Sequence, residues 1–211
     1  MDFKNANELL TLCEEKNLPI SEIMRLREIE LGETTAETVK ERMSRVLDIM
    51  KDAARSPIEK PVKSMGGLIG GEARKLSIHA QNSQVLCGDL LQRAITYAMA
   101  TLETNASMGL IVASPTAGSA GIVPGLMLAM QEHYHFSDDQ IIQALFNASA
   151  IGYLAMRNAT VAGAVGGCQA EVGVASAMAT SAAVELMGGT PKECTYAAST
   201  VLMNMLGLVC D

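Results

Sequence analysis

The sequence predicts an all-α chain, a compact helical bundle with Gly/Ser/Pro-rich loops between small-residue helices. Three observations carry that prediction. Helix-start signals recur along the chain, the long apolar segments are rich in Ala, Met and Leu, and no sustained period-2 alternation of apolar and polar residues marks a strand.

Taken in order, the stretch from Ser21 to Leu31 reads as an amphipathic helix. Thr34 and Glu37 then form a capping-box pattern, after which Val39, Met43, Val46, Leu47 and Met50 recur at helical spacing until Ser56 and Pro57 stop the helix. The pairs Gly66-Gly67 and Gly70-Gly71 break the periodicity ahead of a short helix from Glu72 to about Gln81. Asp89 precedes an apolar run, Ser137 has Gln140 three residues on, and Thr190 is followed by Pro191 and Glu193, giving three further helix starts. Segments 140–156, 168–187 and 191–206 are the helices that this composition favours.

Charge is unevenly spread. Residues 1–75 hold 27 of the 39 Asp, Glu, Lys and Arg residues, so the first part faces water and the rest is largely interior. The 211 residues suit a single domain, with 1–64 a charged amphipathic helical region and 65–211 an apolar core. A net charge of −7 has the wrong sign for capturing a phosphate backbone, which removes nucleic acid as a default partner. Residues 104–131 contain no charged side chain, yet Pro115, Pro124, Gly109, Gly118, Gly121 and Gly125 break the run, favouring a buried interior over a membrane span. The opening Met1-Asp2-Phe3-Lys4-Asn5 lacks a secretory pattern, and the expected location is the cytoplasm. Aromatics are 3% of the chain with 14 Met and no Trp, so the core is built from small and flexible aliphatics. The small-residue helix around Ala175 to Ala183 implies close backbone approach and suits completion of the bundle by a second copy.

Chemistry concentrates in three stretches. In the run from Ser114 to Gly125, Ser114, Thr116 and Ser119 interrupt apolar surroundings. Pro115 and glycines such as Gly118 let the backbone turn N–H groups inward before a helix, which makes a carboxylate cradle. The same residues equally describe a helix-helix turn whose hydroxyls bond their own backbone. In Gly163 to Gly173, a helix beginning near Cys168 would favour the metal-binding thiolate, although a buried cysteine acting as a small hydrophobe reads as well. Cys210 follows Gly207 in the third stretch, Asn204 to Asp211. The five cysteines are odd in number and widely spaced, which points to individual roles; for Cys13, Cys87 and Cys194 these are structural. His79, His133 and His135 read as surface residues.

Gly70-Gly71-Glu72-Ala73 before a helix, Asn105-Ala106-Ser107-Met108-Gly109 leading into Ser114 to Gly125, Gly166-Gly167-Cys168-Gln169-Ala170-Glu171-Val172-Gly173, Gly188-Gly189-Thr190-Pro191, and Asn204 to Asp211 occur in one order. In these motifs the chain resembles the α chain, or catalytic domain, of the iron-sulfur-dependent L-serine dehydratases, also called L-serine deaminases. The resemblance implies a [4Fe-4S] cluster held by three cysteines, with one iron open as a Lewis acid, and no pyridoxal phosphate. L-serine would give pyruvate and ammonia. Cys168 and Cys210 stand at the first two ligand positions. The third ligand in the family lies about eleven residues further on, so the chain as given is expected to fold without a complete cluster and to be inactive alone. The Ser114, Thr116, Gly118 and Ser119 loop is the expected seat for the substrate carboxylate or amine. The general base is expected from a β chain or domain. The alternatives are an L-cysteine desulfidase sharing this domain and a non-catalytic interaction fragment.

Overall fold

The computed structural model of the chain describes residues 1–205, and among these it contains ten helices and no strand. They are α1 (Ala6–Lys16), α2 (Ile20–Leu31), α3 (Ala36–Glu59), α4 (Glu72–Asn82), α5 (Gly88–Ala106), α6 (Ile122–Tyr134), α7 (Asp138–Asn158), the single turn α8 (Gly163–Gly166), α9 (Cys168–Leu186) and α10 (Pro191–Met205). The all-α reading of the sequence holds. Two compact units are present, Met1–Arg45 with Asp138–Asp211, and Val46–Ser137, and α3 contributes residues to both. No helix among the described residues is long and apolar enough to cross a membrane.

The first unit is organised around α7 and α9, which pack on each other and bury the middle of their length. Gly152 lets them approach, since a Cβ there would meet the Met178 side chain at 3.0 Å. A polar chain crosses this core: Ser181 Oγ donates to Asn147 Oδ1 (2.6 Å), and Asn147 Nδ2 donates to Glu185 Oε2 (2.7 Å). Asn147 and Ser181 are fully buried, and pairing removes the penalty of leaving their polar atoms dry. The α9–α10 hairpin turns at Gly188 (φ 86°), and α10 begins with the capping box that the sequence predicts. Thr190 N–H donates to Glu193 Oε2 (2.7 Å), and Glu193 N–H donates to Thr190 Oγ1 (3.3 Å).

Two local expectations shift. Thr35 rather than Thr34 caps α3, because Thr38 N–H donates to Thr35 Oγ1 (3.2 Å). α3 also continues past Pro57 to Glu59, since a proline near a helix end removes one N–H without preventing the last turn. α1 carries only two buried side chains, Leu9 and Cys13, and is set by its cap: Glu8 N–H donates to Asn5 Oδ1 (3.0 Å).

In the second unit α5 packs against α4 and α6. Gly121 and Gly125 form the α5–α6 seam: a Cβ on Gly121 would overlap Ala98 O, and one on Gly125 would lie 2.8 Å from Ala94 O. α5 is inverted in polarity. Gln92, Thr96, Thr101 and Glu103 are buried, whereas Leu91, Ile95 and Leu102 are exposed. Thr96 and Thr101 satisfy their hydroxyls on the carbonyls of Gln92 and Tyr97 one turn back (both 2.9 Å).

Candidate active site

The loop before α6 belongs to the second unit and gathers the hydroxyls that the sequence singles out. Ser114 and Ser119 are buried, Thr116 is half-buried and Gly118 is exposed. Ser119 Oγ lies 3.1 Å from Thr116 Oγ1 and 3.5 Å from the Ser114 and Thr116 carbonyls, so it behaves as a turn hydroxyl bonded to its own loop. Ser114 differs: its Oγ is buried and has no hydrogen-bond partner. Asn105 fixes the loop from the end of α5, with Nδ2 donating to Ala117 O (3.1 Å). The α5–α6 seam fixes it from the other side through Gly121, the N-cap residue of α6. That cap makes no side-chain hydrogen bond, and α6 has no acidic residue in its first turn. An α-helix N-terminus with no side-chain acceptor is suited to a carboxylate.

Cys168 belongs to the first unit. It is the first residue of α9, is exposed, and follows Gly167 (φ 76°), so the reading of it as a buried hydrophobe does not apply. A thiol at a helix N-terminus is biased toward its thiolate form. The approach to it is built from glycines, with Gly163 beside Glu171 and Gly166 beside Ala170 and Thr160. Across the hairpin, Gly173 faces Leu202 and Met205, so the described end of α10 returns to the end of α9 that bears Cys168. Cys210 lies outside the described residues. Among these residues no group of three or more His, Cys, Asp or Glu side chains could hold a metal ion.

The other cysteines separate by burial. Cys13 and Cys194 are buried, and burial, aided by nearby Glu185, pushes both thiols up to about 12. Cys87 is exposed. All three histidines are exposed, His79 in the last turn of α4 and His133 edge-on to Tyr134.

Two carboxylates escape a reading of motifs. Glu103 and Glu132 bracket the uncharged run 104–131, and both enter networks within the second unit. Glu132 accepts from Arg55 (3.0 Å), Arg93 (2.5 Å) and Tyr97 (2.7 and 2.8 Å). Burial pushes its carboxyl up, but bonds from Arg93, Tyr97 and Arg55 outweigh that and hold it below the usual range. Glu103 is 2% exposed and accepts from Ala73 N–H (2.8 Å). Their position as isolated charges bounding a long uncharged stretch is the signal that could have found them.

Comparison with known proteins agrees across nearly the full length. The serine dehydratase alpha chain family matches residues 15–211. A probable L-serine dehydratase alpha chain of Bacillus subtilis is 45% identical over 209 residues, covering 99% of this chain and 69% of that protein. The L-serine dehydratase alpha chain of Peptoniphilus asaccharolyticus is 39% identical over 209 residues, covering 99% and 72%. The L-serine dehydratase TdcG of Escherichia coli is 33% identical over 219 residues, covering all of this chain and 47% of that protein. The chain belongs to the serine dehydratase alpha chain family.

Proposed function

We propose that this chain is the alpha part of an L-serine dehydratase, with the loop of Ser114, Thr116, Gly118 and Ser119 as the seat for the substrate carboxylate. The observation that carries the reading is the buried Ser114 hydroxyl, which has no protein partner and lies in the loop that opens α6 without a side-chain cap. A carboxylate there would accept from Ser114 O–H and from Val123 N–H, because Ile122 N–H already donates to Ser119 O (3.1 Å) and Pro124 has no N–H. Asn105 and the glycine seam hold that loop at fixed distance from α5, and a fixed seat costs no reorganisation when substrate arrives.

The setting of Cys168 fits a thiolate donor to a [4Fe-4S] cluster, and we assign Cys210 as the second donor. Such a cluster supplies a Lewis acid for a departing hydroxyl. The roles left to this chain are to bind and orient serine so that its Cα–H and Cβ–O bonds face the reacting groups. The exposed, dispersed histidines support assigning the base that takes the Cα proton to a β chain or domain. Loss of that proton and of the Cβ hydroxyl, together one water, leaves aminoacrylate, which tautomerises to an imine; a water then hydrolyses the imine to pyruvate and ammonia. Neither step needs pyridoxal phosphate. We place the protein in the cytoplasm, where thiolates stay reduced.

The test is anaerobic reconstitution with iron and sulfide of the complete alpha chain, third cluster ligand included, together with its β partner, followed by assay of serine and cysteine. Equal amounts of pyruvate and ammonia from serine are expected, together with a raised KM in Ser114→Ala. Preferential release of sulfide from cysteine would favour a desulfidase, and no serine turnover in the complete assembly would overturn the reading.

A further inference from the structure

An open cleft of about 480 Å³ lies between α3, α4 and α5, wholly within the second unit. Gln92, which lines it, stands about 20 Å along α5 from Asn105, the residue that holds the Ser114–Ser119 loop. The cleft is therefore no part of the seat described above, and its size is that of a small-molecule site. Its walls carry charge that the fold leaves unpaired. Arg55 Nη2 and Arg93 Nη1 both donate to Glu132 (3.0 and 2.5 Å). One carboxylate thus gathers two guanidiniums, and among the described residues each keeps its Nε and its other terminal nitrogen without an acceptor.

Asp89 lies four residues before Arg93 on α5, the spacing at which the two would pair. Arg93 turns to Glu132 instead, and Asp89 is left with no cation among the described residues. Glu59, also on the cleft, has none either: Arg74 reaches its main-chain carbonyl (2.6 Å), not its carboxylate. Gln92 supplies the third feature. It is only 9% exposed, yet its Nε2 reaches Leu76 O at 3.5 Å and its Oε1 meets only the Cys87 thiol, a weak donor, at 3.9 Å. A buried amide so poorly matched is costly unless another group completes it. Thr96, buried one turn on, is no help, because its hydroxyl is spent on the Gln92 carbonyl (2.9 Å).

We propose that this cleft is a second small-molecule site, which takes an α-amino acid with a carboxamide side chain. The ligand carboxylate accepts from the spare N–H groups of Arg55 and Arg93, its ammonium donates to Asp89, and its amide pairs with that of Gln92, donor to acceptor at both ends. A zwitterion matches a cleft that offers unpaired charge of both signs. A phosphate dianion does not, because Asp89 and Glu59 repel it. The proposal stands apart from the dehydratase reading of the Ser114–Ser119 loop.

Calorimetric titration and amide exchange on the complete alpha chain with its β partner test it. The probes are L-glutamine, glutaramate (the same molecule without its ammonium), L-alanine and inorganic phosphate, each at millimolar concentration. L-glutamine should protect amides across residues 77–97, which report the cleft, whatever happens at residues 105–125, which report the seat. At the cleft it should bind at least about tenfold more tightly than glutaramate or L-alanine, the loss expected for one charge-assisted bond or a pair of neutral ones, and phosphate should not bind. Asp89→Asn should weaken L-glutamine at least about tenfold and leave glutaramate within about twofold. Arg93→Lys keeps a cation for Glu132 but gives up the forked N–H groups, and should weaken both ligands. Thermal melts identify any variant that fails to fold, and the ligand preferences of the wild type stand without the variants. Absence of protection across 77–97 with L-glutamine overturns the proposal. So does glutaramate or phosphate binding as tightly as L-glutamine, which would make the cleft a plain anion site.

Discussion

Thr104 stands in for the N–H that Pro57 lacks. A non-proline residue at that position would donate to Ala53 O four residues back; with proline there, Thr104 Oγ1 reaches across from α5 and donates to that carbonyl at 2.8 Å. The bond that one residue forfeits is thus supplied by a residue from another helix. Thr104→Val should cost about 1–3 kcal/mol, the range for leaving a buried acceptor unpaired. In a Pro57→Ala background the cost should shrink, because the restored backbone N–H reclaims Ala53 O. A double-mutant cycle in urea checks this, and strict additivity would count against it.

Glu132 should make the second unit acid-labile. Its folded-state carboxyl lies below the ordinary value of 4.5, so its contribution is present above that value and is lost as pH falls through the folded value. Glu132→Gln should therefore destabilise the protein near neutral pH by about 1–3 kcal/mol, through weakened charge-assisted bonds to Arg55 and Arg93, with the deficit vanishing in acid. Thermal melts of both proteins across the acid range are the measurement.

Thiol labelling should divide the four described cysteines into two pairs. Cys13 and Cys194 are held near 12, which leaves a thiolate fraction of about 10⁻⁴ at pH 8, and they are also out of contact with water. Cys87 and Cys168 are exposed. In native protein, mass spectrometry after brief alkylation should find the second pair modified and the first protected until denaturant is added. The raised thiols also set an alkaline limit: their stabilisation is complete below their ordinary value of 9.0 and declines between there and about 12.

Gly121→Ala should strain the α5–α6 seam, because the new methyl would overlap Ala98 O, a backbone atom with no rotamer to change. A cost of about 1–3 kcal/mol is expected from overpacking. Gly188→Ala offers a contrast. No atom lies within 4 Å of a Cβ there, so its penalty comes from the left-handed backbone (φ 86°) alone. Reconstituted enzyme should show a raised serine KM in Gly121→Ala and an unchanged one in Gly188→Ala.

Local signals were readable where their partners are close in sequence. The Thr190–Glu193 box is an example, because both halves of the bond pair lie within three residues. The start of α3 was misplaced by one position because Thr34 and Thr35 are adjacent and only the backbone geometry selects between them. The hydroxyl loop was visible as a chemical anomaly in an uncharged stretch, but its division into a self-bonded Ser119 and an unpartnered Ser114 depends on folding. Glu103 was out of reach for the same reason. Its donor, Ala73 N–H, is 30 residues away, and a lone acid on a helix ordinarily faces water. The inverted polarity of α5 likewise defeats a reading that puts Leu91, Ile95 and Leu102 inside.

The seam at Gly121 and Gly125 has a mechanical consequence. Side chains elsewhere in the interior absorb small displacements by changing rotamer, but here one main chain rests directly on another, with only hydrogen between them. The start of α6 therefore has no soft degree of freedom toward α5. Warming should broaden the fluctuations of neighbouring surface turns well before it loosens this junction, which will give way only when the two helices part.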